Sequence, residues 1–160
     1  MEIEISIAKQ HLTVLNEASM LLAQYPISTS LKGAGEQKGS YQTPRGVHVV
    51  RAKIGADQPI NSVFVGRRPT GEIWTPELGL QYPARDWILT RILWLSGCEV
   101  GMNRLGNVDS MQRYIYIHGT PDSEPMGEPQ SHGCVRMRNA DVIDLFELVP
   151  LHTPVLITDA

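Results

Sequence analysis

Hydrophobic and polar residues alternate along the first part of the chain as they do in β-strands. In the opening stretch MEIEISI, isoleucine occupies every second position from residue 3, with Glu or Ser between. This period of two puts all the isoleucines on one face of a strand. Apolar runs at 11–15 and 20–28 predict two further strands, and the polar segment 16–19 predicts the turn between them. The pattern indicates a β-meander.

The rest of the chain is predicted to contain further strands and one helix. Short apolar runs predict strands in 43–50, 113–119 and 153–158, whereas 86–97 is equally compatible with a buried strand and with the start of a helix. In 139–149 the apolar residues recur every three or four positions, which predicts a helix with Asn139 as its N-cap. We therefore expect a mostly β fold with one or a few short helices.

Three polar segments rich in glycine or proline predict exposed loops. Lys32–Ser40 is glycine-rich, and Thr120–Gln130 contains three prolines. The segment Arg67–Gly79 has the turn residues of a hairpin or a lid, with Trp74 either in the wall of a cleft or in the core. Arg67 itself is expected to be solvated.

Length and composition bound the possible functions. The 160 residues predict a single domain spanning 1–160, and the net charge of −3 makes nucleic acid a poor partner. No apolar run is long enough to cross a membrane. The acidic, alternating start does not have the pattern of a signal peptide, so we expect a cytoplasmic protein, or a periplasmic one if a leader peptide has been removed. Nothing in the sequence indicates an oligomeric state.

The two cysteines have different surroundings. A disulfide between them is not expected in a cytoplasmic protein. Cys98 lies in the apolar stretch LWLSGCEVG and is expected to be a buried small hydrophobic residue. Cys134 lies in SHGCVRM, among Ser, His, Gly and Arg, at the junction of a loop with the next element. This polar context makes Cys134 the candidate for chemistry.

A histidine can convert this thiol into a nucleophile. His118 ends the strand YIYIH, and the following proline-rich loop can return Cys134 to its side. A histidine in hydrogen-bond reach can take the thiol proton and hold the thiolate as an ion pair. Gly133 leaves the backbone uncluttered, so the N–H groups of Gly133 and Cys134 can point at a developing oxyanion.

A zinc site is the competing interpretation of the same residues. His118, His132 and Cys134 could supply three ligands. However, His132 and Cys134 are separated by a single residue, which departs from the usual ligand spacing. We expect no metal and no cofactor.

At this point the motifs resemble a known family. IHGT followed by SHGCVRM resembles the catalytic signature of the L,D-transpeptidase (YkuD) family. The segments IEISIAKQHLTVL, TPRGVHVV, ILTRILWLSG and TPVLI resemble further parts of that domain in the same order, so the resemblance covers nearly the whole chain. It implies a mostly β, YkuD-like sandwich with a catalytic cleft beneath a lid.

The resemblance also implies roles for individual residues. Cys134 is the nucleophile, and His118 is its base, oriented by the backbone carbonyl of Gly119. Gly133 and Cys134 supply the oxyanion N–H groups. The substrate-binding candidates are Ser131, His132 and Arg136. Arg136 could hold a substrate carboxylate, because a guanidinium binds one in bidentate fashion, or it could form a salt bridge within the domain.

The implied reaction is acyl transfer from a peptidoglycan stem tetrapeptide. Cys134 attacks the bond between the L-centre of a diamino acid and the terminal D-alanine, and a thioester remains. In the cytoplasm the donors would be muropeptides and the acceptor water, which predicts an L,D-carboxypeptidase of peptidoglycan recycling. The alternatives are a periplasmic L,D-transpeptidase that forms 3-3 cross-links or exchanges D-amino acids, and a non-catalytic peptidoglycan-binding domain. Acylation by carbapenems is implied for Cys134.

Overall fold

The computed structural model describes all 160 residues and shows a mostly β domain with ten strands and two helices. The strands are β1 (Glu2–Ser6), β2 (His11–Leu15), β3 (Leu21–Pro26), β4 (Gly46–Ile54), β5 (Ser62–Val65), β6 (Arg68–Ile73), β7 (Ile88–Gly97), β8 (Tyr116–Gly119), β9 (Val135–Met137) and β10 (Pro154–Thr158). The helices are α1 (Pro76–Gln81) and α2 (Asn139–Leu148), with a short 3₁₀ turn at Gly106–Val108. The predicted fold class is confirmed.

All ten strands belong to one continuous, curled sheet. Its order is β3-β2-β1-β10-β4-β7-β5-β6, and β7 also pairs with β8, which in turn pairs with β9. Leu93 of β7 pairs with Lys53 of β4 and with Ile117 of β8, so β4 and β8 lie on opposite edges of β7. The three predicted N-terminal strands form the meander at one end of this sheet.

Strand β7 is buried along most of its length. This explains why its sequence shows no alternation: β4, β5 and β8 flank its edges, and α2 packs against it. The ambiguity of segment 86–97 is thus resolved in favour of a buried strand. Near its start the register of β7 shifts, and Thr90 adopts φ +74°. Its hydroxyl donates to Asn139 Oδ1 at 2.5 Å.

Helix α2 begins as predicted, but its N-cap was predicted wrongly. Arg138 is the N-cap residue, and Asn139 is the first residue of the helix. The Asn139 side chain is fully buried, and its amide donates to the Thr120 carbonyl at 3.0 Å and to Asn61 Oδ1 at 2.9 Å. Asp122 caps the helix from outside by accepting the Asn139 N–H at 3.2 Å. A buried amide network has therefore replaced the local cap.

Helix α1 begins within the segment that was predicted as a hairpin or lid. Thr75 caps α1 by accepting the Leu78 N–H at 3.2 Å, and Pro76 occupies the first helical position. Neither helix is long and apolar enough to cross a bilayer.

Candidate active site

The pairing of β8 with β9 aligns the two motifs found in the sequence. These strands are parallel, with His118 opposite Arg136 and Ile117 opposite Val135. Residues directly opposite in a sheet point to the same face, so the side chains of His118 and Arg136 share one face. Cys134 immediately precedes β9 and contacts the start of β8, because its Sγ accepts the Tyr116 N–H at 3.3 Å. The proline-rich loop thus returns the cysteine to the strand that carries the histidine.

The hydrogen bond of His118 determines which ring nitrogen is free. His118 Nδ1 lies 2.6 Å from the Gly119 carbonyl, which can only accept, so Nδ1 carries the proton. His118 Nε2 is buried and has no hydrogen-bond partner. Burial lowers the pKa of His118, against opposing effects of Asp86 and the Gly119 carbonyl. The imidazole is therefore neutral at pH 7, with its basic nitrogen unoccupied.

The contacts and the burial of Cys134 favour the protonated thiol. Its Sγ donates to the Tyr114 carbonyl at 3.3 Å, and no hydrogen bond joins it to His118. Burial raises the pKa of Cys134 to about 12, although the Tyr116 N–H and the charge of Arg136 act in the opposite direction. The geometry favours a neutral thiol and a neutral imidazole over the ion pair predicted from the sequence. The thiol proton must therefore leave as the thiol attacks.

Ser131 and Gly133 hold the backbone around the thiol. Ser131 Oγ donates to the Cys134 carbonyl at 2.6 Å and accepts the Gly133 N–H at 3.2 Å. Thr43 Oγ1 donates to the Gly133 carbonyl at 2.9 Å, and Gly133 adopts φ +134°, which favours glycine. The Cys134 N–H has no hydrogen-bond partner. Of the two predicted oxyanion donors, only that of Cys134 is free in this structure.

An acidic residue that the sequence analysis did not identify stands beside the motif. Asp86 Oδ1 accepts from Arg136 Nη2 at 3.0 Å, and Asp86 Oδ2 lies 3.5 Å from His132 Nδ1. Burial raises the pKa of Asp86, but its electrostatic interactions with His118, Arg136 and His132 outweigh that effect, so the net effect lowers the pKa. The Asp86 carboxylate is therefore ionised at pH 7.

Arg136 is committed to this internal ion pair. Its Nη1 also donates to the Gln130 carbonyl at 3.3 Å, and its side chain is only 10% exposed. Of the two interpretations of Arg136, the structure shows the salt bridge within the domain. Its role towards a substrate carboxylate stays a prediction.

The thiol opens into a cleft of about 730 Å³. A cleft of this size is typical of small-molecule sites. Apolar and aromatic residues supply half of its lining, and the charged and histidine residues among the rest are Lys38, Arg67, Asp86, Arg113 and His132. His132 is exposed here, with 63% of its side chain accessible.

Only part of the segment predicted as a lid borders this cleft. The turn formed by Gly66 and Arg67 borders the cleft, but Trp74 packs against the buried residues Val63, Trp87 and Leu89. Trp74 therefore belongs to the core. Arg67 is not simply solvated, because its guanidinium stacks on two aromatic rings.

Two further expectations concern cysteine and metal. Cys98 is exposed, so its predicted burial was wrong. It follows the last residue of β7, where the chain leaves the sheet, and the apolar run before it did not reveal that exit. No three His, Cys, Asp or Glu side chains converge in a metal-binding arrangement.

Comparison with known proteins gives a consistent family assignment. The model of the YkuD family, the L,D-transpeptidase catalytic domain, matches residues 1–157. YbiS of Escherichia coli K12, named a probable L,D-transpeptidase, is 31% identical over 156 residues, which cover 92% of this chain and 50% of that protein. ErfK/SrfK of Salmonella typhimurium LT2, also named a probable L,D-transpeptidase, is 29% identical over 148 residues, covering 91% and 43%. The chain thus spans about half the length of these relatives, or less.

Solved structures share the fold. The L,D-transpeptidase from Xylanimonas cellulosilytica DSM 15894 superposes with a TM-score of 0.59 at 22% identity, covering 98% of this chain and 59% of that one. The L,D-transpeptidase LdtMt1, solved in complex with imipenem, gives a TM-score of 0.57 at 18% identity, covering 98% and 57%.

Proposed function

The chain belongs to the YkuD family of L,D-transpeptidase catalytic domains, and from this premise we propose that it transfers the acyl group of peptidoglycan stem tetrapeptides to Cys134. The observation that carries the proposal is the buried, unpartnered Nε2 of His118, on the strand that Cys134 contacts. A buried polar atom without a partner costs free energy, and a base awaiting a proton explains why it is tolerated.

The first half-reaction releases D-alanine. Cys134 Sγ attacks the carbonyl that joins the diamino acid, usually meso-diaminopimelate, to D-alanine, and the thiol proton passes to His118 Nε2. The Cys134 N–H, which has no partner in the structure, is placed to stabilise the oxyanion. His118 then gives its proton to the departing amine, the C–N bond breaks, and a thioester remains.

For the second half-reaction we propose water as the acceptor. His118 Nε2 takes a proton from water as the oxygen attacks the thioester, which frees the Cys134 thiol and a tripeptide acid. Water needs no binding site of its own beside the 730 Å³ cleft. The activity is then that of an L,D-carboxypeptidase acting on muropeptides, and we propose the cytoplasm as its location.

A smaller cavity favours a second candidate, transfer to an amine. Next to the cleft lies a cavity of about 230 Å³ lined by Leu31, Lys32, Tyr41, Ser131 and His132. It shares Tyr41 and His132 with the main cleft, so an amine bound there would lie beside the site. D-amino-acid exchange or 3-3 cross-linking, in the periplasm, would use this cavity.

The test is mass spectrometry of products from a disaccharide tetrapeptide, with and without added D-amino acid. We expect loss of one D-alanine and accumulation of tripeptide, and no product with Cys134→Ala. The matched control is Cys98→Ala, which removes a thiol outside the cleft and should leave turnover unchanged. Exchange products or dimers would establish the second candidate instead.

Two alternative classes have their own readouts. A peptidoglycan-binding domain would bind the tetrapeptide without turnover, and its binding would survive alkylation of Cys134. A zinc hydrolase would contain metal after purification without chelator and would lose activity when the metal is stripped. Imipenem should add once to wild-type protein and not to Cys134→Ala.

A further inference from the structure

The charges that line the cleft are unevenly paired. Its acidic residue, Asp86, is engaged by Arg136 and His132. Three cations, Lys38, Arg67 and Arg113, line the cleft without a carboxylate within ion-pair distance, although the chain as a whole carries a net charge of −3. Unpaired cations in a cleft favour an anionic ligand.

Two of these cations are poorly suited to bind that ligand directly. Both terminal nitrogens of Arg113 are taken, because Nη1 donates to the carbonyls of Gly35 and Glu36, and Nη2 donates to Ser40 Oγ and the Gln42 carbonyl. Arg113 thus holds the glycine-rich loop in place. Lys38 is exposed, and its long side chain would lose rotamer freedom on binding.

Arg67 has both free donors and a fixed position. It forms the turn between β5 and β6 together with Gly66, with φ values of +65° and +56°. Its guanidinium carbon lies 4.7 Å from the centroid of the Trp94 ring and 4.9 Å from that of Tyr114. Nη1 donates to Tyr116 Oη at 3.1 Å, while Nε and Nη2 have no partner. A stacked arginine of this kind binds a carboxylate with little loss of side-chain freedom.

The same tyrosines connect Arg67 to the nucleophile. The Tyr114 ring stacks on Arg67, and the Tyr114 carbonyl accepts from Cys134 Sγ. The Tyr116 hydroxyl accepts from Arg67, and the Tyr116 N–H donates to Cys134 Sγ. The guanidinium and the thiol are thus anchored on the same short segment of backbone.

We propose that Arg67 binds the carboxylate of the terminal D-alanine and so selects donors that end at that residue. The inference rests on the proposed function, because D-alanine is its leaving group, but it does not depend on whether water or an amine is the acceptor. Only two bonds separate the scissile nitrogen from the carboxylate carbon. A cation that lines the same cleft as the thiol can therefore position the scissile carbonyl for attack.

The first experiment compares kcat/KM for a tetrapeptide ending in D-alanine with that for the same peptide ending in D-alaninamide. We expect wild type to prefer the acid by about 10- to 100-fold, the range for a hydrogen bond to a charged group. Arg67→Gln should reduce this ratio to near one, and Arg67→Lys should retain part of it. The matched control is Arg68→Gln, which removes an exposed arginine next in sequence that does not line the cleft.

Because the ratio is taken within each variant, a general loss of folding or of hairpin position cancels. If Arg67→Gln slows both peptides equally and keeps the acid preference, Arg67 is only a structural stack and the proposal is overturned. If wild type shows no preference for the acid, the proposal is likewise overturned, while turnover itself would still support the proposed function.

A second experiment needs no turnover. N-iodoacetyl-D-alanine and N-iodoacetyl-D-alaninamide both alkylate thiols by displacement of iodide, and they differ only in the carboxylate. Mass spectrometry of the Cys134 peptide gives the rate ratio at the site, and the exposed Cys98 gives the ratio outside it in the same sample. We expect the acid to be preferred at Cys134 and not at Cys98, and Arg67→Gln to remove the difference.

If no peptide is turned over but this preference is present and depends on Arg67, the proposed function fails and the anion site stands. If peptides are turned over and the alkylation rates show no preference at Cys134, the function stands and the anion site fails.

Discussion

Two buried histidines in this protein make the same first hydrogen bond and differ in the second. His48 and His118 are at most 1% exposed, and each donates from Nδ1 to a nearby backbone carbonyl, that of Gly46 at 3.0 Å or Gly119 at 2.6 Å. Burial lowers the pKa of both rings. His48 Nε2 accepts from Ser110 Oγ at 2.8 Å, whereas His118 Nε2 has no partner.

The difference separates a structural histidine from a candidate base. Both ring nitrogens of His48 have hydrogen-bond partners, and the bond to Ser110 links β4 to the loop that contains this serine. His118 leaves its basic nitrogen unpaired, although burial without a partner costs free energy. Burial and a shifted pKa are therefore not sufficient signs of function, since both rings have them. The unpartnered nitrogen is the distinguishing feature.

The largest effect that tests this comparison is on turnover. His118→Gln should lower kcat by about 10²- to 10⁴-fold, because it removes general acid–base catalysis. His48→Gln should leave kcat per folded molecule within about threefold of wild type, since it removes a structural contact with an effect of the usual size on stability. Steady-state kinetics and thermal unfolding of both variants provide the measurement. Equal losses of kcat would remove the distinction.

The next effect is on stability at acid pH. Burial lowers the pKa of His48 from 6.5 to about 4, so protonation favours the unfolded chain. The contribution of neutral His48 to the free energy of unfolding is fully present above pH 6.5 and is lost as the pH falls towards 4. At 1.36 kcal/mol for each pH unit, the loss is about 3 kcal/mol. Urea unfolding at pH 7 and pH 4 should show a smaller difference for His48→Gln than for wild type.

The matched control for the pH measurement is His11→Gln, which replaces a partly exposed histidine. This variant should keep the wild-type difference between the two pH values. Protonation of His118 also favours the unfolded chain, because burial lowers the pKa of His118 as well. A pH difference that His48→Gln does not change would contradict the assignment of a neutral, buried His48.

The smallest effect comes from making the two histidines alike. Ser110→Ala removes the donor to His48 Nε2 and leaves a second unpartnered ring nitrogen. We expect a loss of about 1 to 3 kcal/mol in the free energy of unfolding, the usual range for an unsatisfied buried group. Ser123→Ala, at an exposed position, should change little. If Ser110→Ala is as stable as wild type, an unpaired buried ring nitrogen does not reduce the free energy of unfolding in this fold.

Much of the site could be predicted because its residues are concentrated in two short motifs. His118 ends a recognisable strand, and Cys134 lies in an unusual polar stretch, so the pairing of β8 with β9 needed only the intervening loop. Asp86 could not be found in this way. It stands alone in PARDW, and only the folded sheet brings it to Arg136.

Arg67 illustrates a second limit. An arginine in a turn is typical of solvated surface, and its aromatic partners Trp94 and Tyr114 come from other elements. In the fold itself, period-two alternation predicted β1 and β2 correctly, because each has one exposed face. The same signal fails for β7, which is buried on both faces and therefore lacks alternation.

The position of β10 has a consequence for how the protein is made. This strand lies between β1 and β4, pairing Val155 with Ile3 in parallel and with His48 in antiparallel register. The β1–β3 meander is synthesised before β10, yet it joins the rest of the sheet only through β10. Until β10 is synthesised, the edge of β1 that pairs with it is open, and unpaired strand edges are prone to aggregation. Closing so long a loop also makes assembly of the sheet's centre a slow step in folding.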